Sequence, residues 1–190
     1  VVVHALGVAV RIEHDLDCTG ADQGAALVGI VVAVTLILGE PVTVVIELRA
    51  RFDEEANIGI ATTLQQAGAK VVYGIVGYKA HAKMLLIVRR EGKRLRRYTH
   101  LGTGNYHAQT ARFYTDIGFL TSHVQVGADV QALFDQLTGL GRPPKLRQVL
   151  QAPFTLYKTI VRRIRAEAAA ARLGEESRIL ARMNSLSEPS

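Results

Sequence analysis

Two strand-length apolar runs flanking one helix-length segment restrict this chain more than any other feature. Pro41–Leu48, PVTVVIEL, is a continuous β-branched run after a proline, the pattern of a buried strand. RFDEEANIGIATTLQQAG then reads as a helix. Asp53 suits the N-cap, Glu54 and Glu55 suit the positive end of the helix dipole, and Gly68 suits the stop. Ala56, Ile60, Leu64 and Ala67 fall on one face of it. Ala69–Val76, AKVVYGIV, is strand again. Strand, helix, strand predicts two parallel neighbours joined by a crossover, and so the α/β class.

The pattern continues with HAKMLLIVRR as a third strand, EGKR as a turn and LRRYTHL pairing back as a fourth. ARFYTDIGFLTSH reads as mostly extended. Helix signals return at Asp129, where Val130, Leu133, Phe134 and Leu137 share one face and Gly139 closes the segment. GRPPK, residues 141–145, is a break. A long helix is predicted from about Pro153 to Gly174, and Ser177–Leu186 is predicted as a strand without a partner. Gln23–Gly39 is uncharged and close to the length of a membrane span. Small and β-branched residues dominate it and charges flank it closely, so buried helix or strand is the preferred reading. No secretory leader pattern opens the sequence.

Composition adds three points. A 48% hydrophobic content with 21% charged residues is that of a globular chain, not a disordered one. The single cysteine, Cys18, excludes a disulfide framework and a multi-cysteine zinc site, and fits a reducing compartment. The net charge of +6 is concentrated in one place. Lys79, Lys83, Arg89, Arg90, Lys93, Arg94, Arg96 and Arg97 stand against Glu91 alone. The first forty residues carry Arg11 against Glu13, Asp15, Asp17, Asp22 and Glu40. Such a basic ribbon favours a polyanionic partner, with a solvated hairpin as the plainer alternative.

At the start of that ribbon, His81 and Lys83 stand two residues apart in a strand pattern and therefore share a face. A histidine that accepts a phosphoryl group needs a neutral nitrogen towards phosphorus and fixed positive charge on the phosphoryl oxygens. Lys83 meets the second need. Leu101–Asn105, LGTGN, adds glycine-conformation backbone N–H groups and the Asn105 side chain, a concave turn of the kind that binds phosphate oxygens. A histidine and a lysine two apart mean little alone. Joined to the glycine turn at the end of the paired strand they become moderately specific.

Histidine-x-lysine followed by this glycine turn resembles the phospholipase D superfamily half-site. ARFDEEANI (Ala50–Ile58), HAKMLLIVRR, THLGTGNYH and TARFYTD (Thr110–Asp116) resemble one branch of it closely, the long multidomain polyphosphate kinases, over about Pro41 to Leu186. Val88 stands five residues after the lysine, where the phospholipases place an aspartate, which also favours the kinase branch. The resemblance implies a phospholipase D-like mixed sheet flanked by helices and followed by a long linker helix. It implies reversible transfer of the terminal phosphate of ATP to polyphosphate through a phosphohistidine. His81 would carry the phosphate, with Lys83 beside it. Gly102, Thr103, Gly104 and Asn105 would bind phosphate, and Tyr114 would contact the nucleotide. Arg51 matches a position associated with magnesium. Arginine is no metal ligand, so it reads as a phosphate clamp next to a phosphate-bridged Mg2+.

The same resemblance implies ATP/ADP and inorganic polyphosphate as partners, no nucleic acid, and a homo-oligomer in the complete family. The expected placement is cytoplasmic, with peripheral association to the inner face of the membrane as the variant. The domain reading is an atypical segment over 1–40, the first catalytic half-site over 41–145, and a linker helix with the first strand of a second catalytic domain over 146–190. The upstream arginine motif of the family is not present, Ala21 standing in its place. Two other classes stay open: a non-catalytic polyanion-binding module, and a phospholipase D-like phosphodiesterase. His100, His107 and His123 are read as structural or exposed, and Asp53, Glu54 and Glu55 as a helix start.

Overall fold

The structure, a computed structural model, describes residues 2–5, 8–11, 31–37, 43–46, 54–73, 80–106, 110–139 and 144–181. A two-stranded antiparallel sheet joins β1 (Val2–Ala5) to β2 (Val8–Arg11). The main sheet has six strands: β3 (Val31–Ile37), β4 (Thr43–Ile46), β5 (Lys70–Val72), β6 (Met84–Glu91), β7 (Arg94–Gly102) and β8 (Gly118–Thr121). Their spatial order is β5-β4-β3-β6-β7-β8. The helices are α1 (Glu54–Gln66), α2 (Val124–Leu137) and α3 (Leu156–Arg172).

The crossover predicted from the first three segments is present. β4, α1 and β5 follow in order, and β4 pairs with β5 in parallel. Val44, Val45 and Ile46 are all buried, as a continuous β-branched run requires. Each contributes roughly 1.5–3 kcal/mol on burial. Asp53, the expected cap of α1, lies outside the described residues. β3 and β6 also run parallel, whereas β3 with β4, β6 with β7 and β7 with β8 are antiparallel. The sheet is therefore mixed.

The apolar segment expected over Gln23–Gly39 supplies β3 over Val31–Ile37, which takes the position between β4 and β6. The sheet thus uses residues upstream of position 41. Among the described residues no helix is long and apolar enough to cross a membrane.

The sheet has two covered faces. On one, Val44 and Ile46 of β4, Ala61 and Leu64 of α1, and Tyr106 form a buried cluster, with Ile60, Ala69, Val71 and Leu85 packed against it. On the other, α2 lies on β6 and β7. Val130, Leu133 and Phe134, the face predicted from their spacing, are buried there, as are Leu86 and Val88 of β6.

Several boundaries differ from the sequence reading, each for a local reason. α2 starts at Val124, ahead of the expected Asp129, because His123 caps it: the Val126 N–H donates to His123 Nδ1 at 3.5 Å. Asp129 falls inside the helix, where its buried carboxylate accepts from the backbone N–H groups of Arg147 (2.9 Å) and Gln148 (2.7 Å). The segment expected to be mostly extended, Ala111–His123, is strand only over Gly118–Thr121, after a 3-10 turn at Thr110–Arg112. The strand predicted over Ser177–Leu186 is absent as far as Ala181, and the residues after it lie outside those described. The Arg178 N–H instead donates to Glu167 of α3 at 3.1 Å.

By its internal contacts the chain divides into Val1–Gln148 and Val149–Ser190. The second unit is built on α3. No side chain of α3 is buried, and Tyr157, Ile160 and Ile164 form an exposed apolar stripe opposite Lys158, Arg162 and Arg165.

Candidate active site

His81 and Lys83 precede β6, and the strand proper begins one residue later, at Met84. Pairing nevertheless continues, because the Gly102 N–H donates to the Lys83 carbonyl at 3.0 Å. Lys83 is 3% exposed, while His81 is exposed. The buried ammonium lies 2.8 Å from His81 Nδ1 and 3.3 Å from Nε2, and donates to the His81 carbonyl at 3.0 Å. An ammonium has only donors, so a ring nitrogen accepting from it carries no proton. The sequence places the two residues on one face. The structure adds a direct contact that holds a neutral imidazole against a fixed charge.

The glycine turn lies at the same end of the sheet. β6 and β7 pair Met84 with Leu101, and β7 and β8 pair Gly102 with Gly118. Two antiparallel connections thereby bring the His81–Lys83 pair, the turn and the Tyr114–Asp116 segment together. The connection runs through Asp116, a residue that sequence reasoning did not single out. The Thr103 hydroxyl donates to Asp116 Oδ1 at 3.0 Å and accepts from the Ile117 N–H at 2.9 Å, while the Thr103 N–H donates to the Ile117 carbonyl at 3.1 Å. Asp116 also lies over Gly104, which is buried. A Cβ on Gly104 would collide with the Asp116 carboxylate. The available signal was the aspartate two residues after Tyr114 in the motif itself.

These bonds narrow the cradle expected of Gly102–Asn105. The N–H groups of Gly102 and Thr103 are used by the sheet, and the Thr103 hydroxyl is used by Asp116 and Ile117. Gly104 and Asn105 lie beyond the strand pairing.

His100 is half-buried, and the sequence assigns it no partner. Its Nδ1 shares a 2.6 Å hydrogen bond with the hydroxyl of buried Tyr106. Desolvation holds the His100 imidazole below its ordinary pKa and raises the Tyr106 phenol above its own, so both are neutral near pH 7. The ring has glycine on two sides. A Cβ on Gly118 would fall 2.7 Å from His100 Nε2, and one on Gly102 would fall 3.1 Å from its Cε1.

Tyr114 is 60% exposed and its neighbour Phe113 85% exposed, so neither serves the core. Tyr114 stands two positions before Asp116, a reach of about 7 Å. Arg51, the expected phosphate clamp, lies outside the described residues, as do Lys79 and His107. Among the described residues no group of three or more histidine, cysteine or acidic side chains could hold a metal ion. Asp116, the acid tied into the turn, does not make a magnesium cage.

The order of these motifs along three adjacent strands can be compared with known families. The sequence model of the polyphosphate kinase C-terminal domain 1 matches residues 28–143. The chain belongs to the polyphosphate kinase C-terminal domain 1 family. Over 151 residues it is 61% identical to a polyphosphate kinase of Xylella fastidiosa, covering 80% of this chain and 22% of that protein. A polyphosphate kinase of Pseudomonas aeruginosa is 56% identical over the same length and shares. One of Neisseria meningitidis is 54% identical over 153 residues, again 80% of this chain and 22% of that protein. The crystal structure of polyphosphate kinase from Porphyromonas gingivalis matches with a TM-score of 0.61 at 29% identity, covering 76% of this chain and 27% of that one. The mixed sheet with helices on both faces is the phospholipase D-like arrangement of the polyphosphate kinases. The chain spans about a fifth of the length of the polyphosphate kinases it matches, 22%.

Proposed function

We propose that this chain carries the first half-site of an ATP–polyphosphate phosphotransferase. His81 attacks the terminal phosphorus of ATP, the bond from that phosphorus to the bridging oxygen breaks, and ADP leaves. The terminal oxygen of a polyphosphate chain then attacks the phosphohistidine, the P–N bond breaks, and the chain is one unit longer. Both steps run in reverse. The imidazole of His81 attacks through its unprotonated nitrogen, and the other ring nitrogen keeps the proton of the neutral ring. The observation that carries the reading is the Lys83 ammonium, buried and 2.8 Å from that ring. It sits at the same end of the sheet as Gly104 and Asn105, whose backbone and side-chain donors would hold the phosphoryl oxygens.

The exposed Tyr114 ring would meet the base of the nucleotide, and Arg51 would clamp phosphate. Magnesium would arrive with ATP, bound by phosphate oxygens, and neutralise charge there. The catalytic unit is proposed over 41–145, preceded by β3, with the linker over 146–190. The parent enzyme is proposed as a cytoplasmic homo-oligomer, at or near the inner membrane face, that takes ATP/ADP and polyphosphate. The diester-cleaving alternative is disfavoured by Val88, a buried apolar residue where that chemistry calls for an acid.

Incubation with γ-labelled ATP and magnesium tests the reading. Acid-labile, base-stable label should appear on the protein and vanish in His81→Ala. No label, beside a full-length relative that labels normally, would overturn it.

A further inference from the structure

Beyond the reacting histidine, and resting on the phosphotransferase reading for the identity of the ligand, the β6–β7 hairpin carries a second feature. Alternate residues of a strand share a face. Lys83, just ahead of β6, and Leu85, Ile87 and Arg89 within it follow one another along one face. His100, Tyr98, Arg96 and Arg94 lie along the same face of β7 in the opposite direction. Arg89 stands six positions after Lys83, roughly 20 Å along the strand. The hairpin tip is thus on the His81 side of the sheet, well beyond contact with it.

Charge is arranged unusually there. Arg89 and Arg96 are directly opposed across the two strands, a pairing that repels. Arg94 faces Glu91 in the next pair. Glu91 is shared: it pairs with Arg89 Nε at 3.3 Å and Arg96 Nη1 at 3.3 Å, and accepts from the Tyr98 hydroxyl at 2.6 Å. One carboxylate therefore serves two guanidinium groups whose side chains are 63% and 53% exposed, with Arg90, Lys93 and Arg94 exposed around them. A surface with this excess is satisfied by an anion of high charge density.

We propose that the hairpin face of Arg89, Arg94 and Arg96 is a second anchoring surface for the polyphosphate chain, remote from the histidine that reacts. A polymer with a charge at every phosphorus and no bases fits it better than a nucleic acid. None of the exposed aromatic side chains among the described residues lies on the hairpin, so there is no platform on which bases could stack. The Tyr98 ring is covered by the Arg96 guanidinium, 5.3 Å from its centroid. A chain long enough to reach from the site to the tip gains contacts that a short one lacks.

Binding of tripolyphosphate and of long-chain polyphosphate to the intact 190-residue chain, without ATP and at several salt concentrations, tests this. The long chain should bind at least tenfold more tightly. Arg89→Gln/Arg94→Gln/Arg96→Gln should remove most of that advantage and flatten the dependence of log affinity on log salt by about three, one for each cation lost. Tripolyphosphate affinity should move less than twofold. The triple Arg→Lys variant keeps the charge and should keep both the advantage and the slope. Arg94→Gln alone, at the exposed turn, should flatten the slope by about one. An unchanged length advantage in the glutamine variants would overturn the proposal. So would single-stranded DNA of equal charge binding as tightly as polyphosphate and with the same arginine dependence. Because no ATP is present, failure of His81 labelling leaves this readout intact, and failure here leaves the labelling intact.

Discussion

His100 sits where two glycines meet one tyrosine, and its contribution to stability follows from its protonation. The unfolded ring titrates near pH 6.5, while burial lowers the folded value below that. Between the two values the unfolded chain binds the extra proton, so acid favours unfolding. The stability tied to a neutral His100 is complete above about pH 6.5 and is lost as the pH falls through the folded value. Thermal unfolding of the parent should therefore weaken more steeply below about pH 6.5 than that of His100→Gln. Equal slopes would show that burial does not hold the ring neutral. Lys83 illustrates the same economy at the reacting position. A buried ammonium normally demands a partner, and here the partner is the imidazole and carbonyl of His81.

The element at issue is the turn from Gly102 to Asn105 together with the segment that fastens it. Gly104 has no side chain because Asp116 occupies that space, and Asp116 is held by Thr103. Gly104→Ala should weaken phosphate binding and lower stability by about 1–3 kcal/mol, the range for overpacking a filled site. Asp116→Ala should cost less, because Thr103 keeps its bond from the Ile117 N–H. In the double variant the alanine has room, so the two losses should sum to less than their separate values by at least 0.5 kcal/mol in order of magnitude. Additive losses in a double-mutant cycle would mean that the close approach has no energetic consequence.

For the whole molecule, the decisive fact is that the chain spans 22% of its relatives' length. A first half-site implies a second one, and we propose that it supplies the group that handles the leaving group's proton. A proton-handling partner contributes roughly 10²–10⁴-fold to rate. Accordingly, this chain should take up label on His81 while making polyphosphate at least about a hundredfold more slowly than a full-length relative. Product analysis by chain length checks this, and comparable turnover would show that one half-site suffices.

Much of this was legible without coordinates. The β-branched runs, the helix between them and the face of Val130, Leu133 and Phe134 follow from periodicity, because side-chain burial repeats with the geometry of the element. The His81–Lys83 alternation and the glycine turn were equally plain, since each is written in a few consecutive residues. Other features belong to the tertiary structure alone. β3 was hidden in an apolar run that periodicity cannot assign to strand or helix, and only its neighbours β4 and β6 settle it. Asp116, thirteen residues from Thr103, and Tyr106, bonded to His100 across a turn, act through contacts that no local pattern announces. The backbone carbonyls of Lys83 and Ile117 likewise use up the N–H groups of Gly102 and Thr103 that a reading of the motif alone would have given to phosphate. The sequence determined which residue types stand ready for phosphate chemistry. Which of their atoms remain to do it was decided by strand pairing, because each backbone donor spent in the sheet is withdrawn from the site.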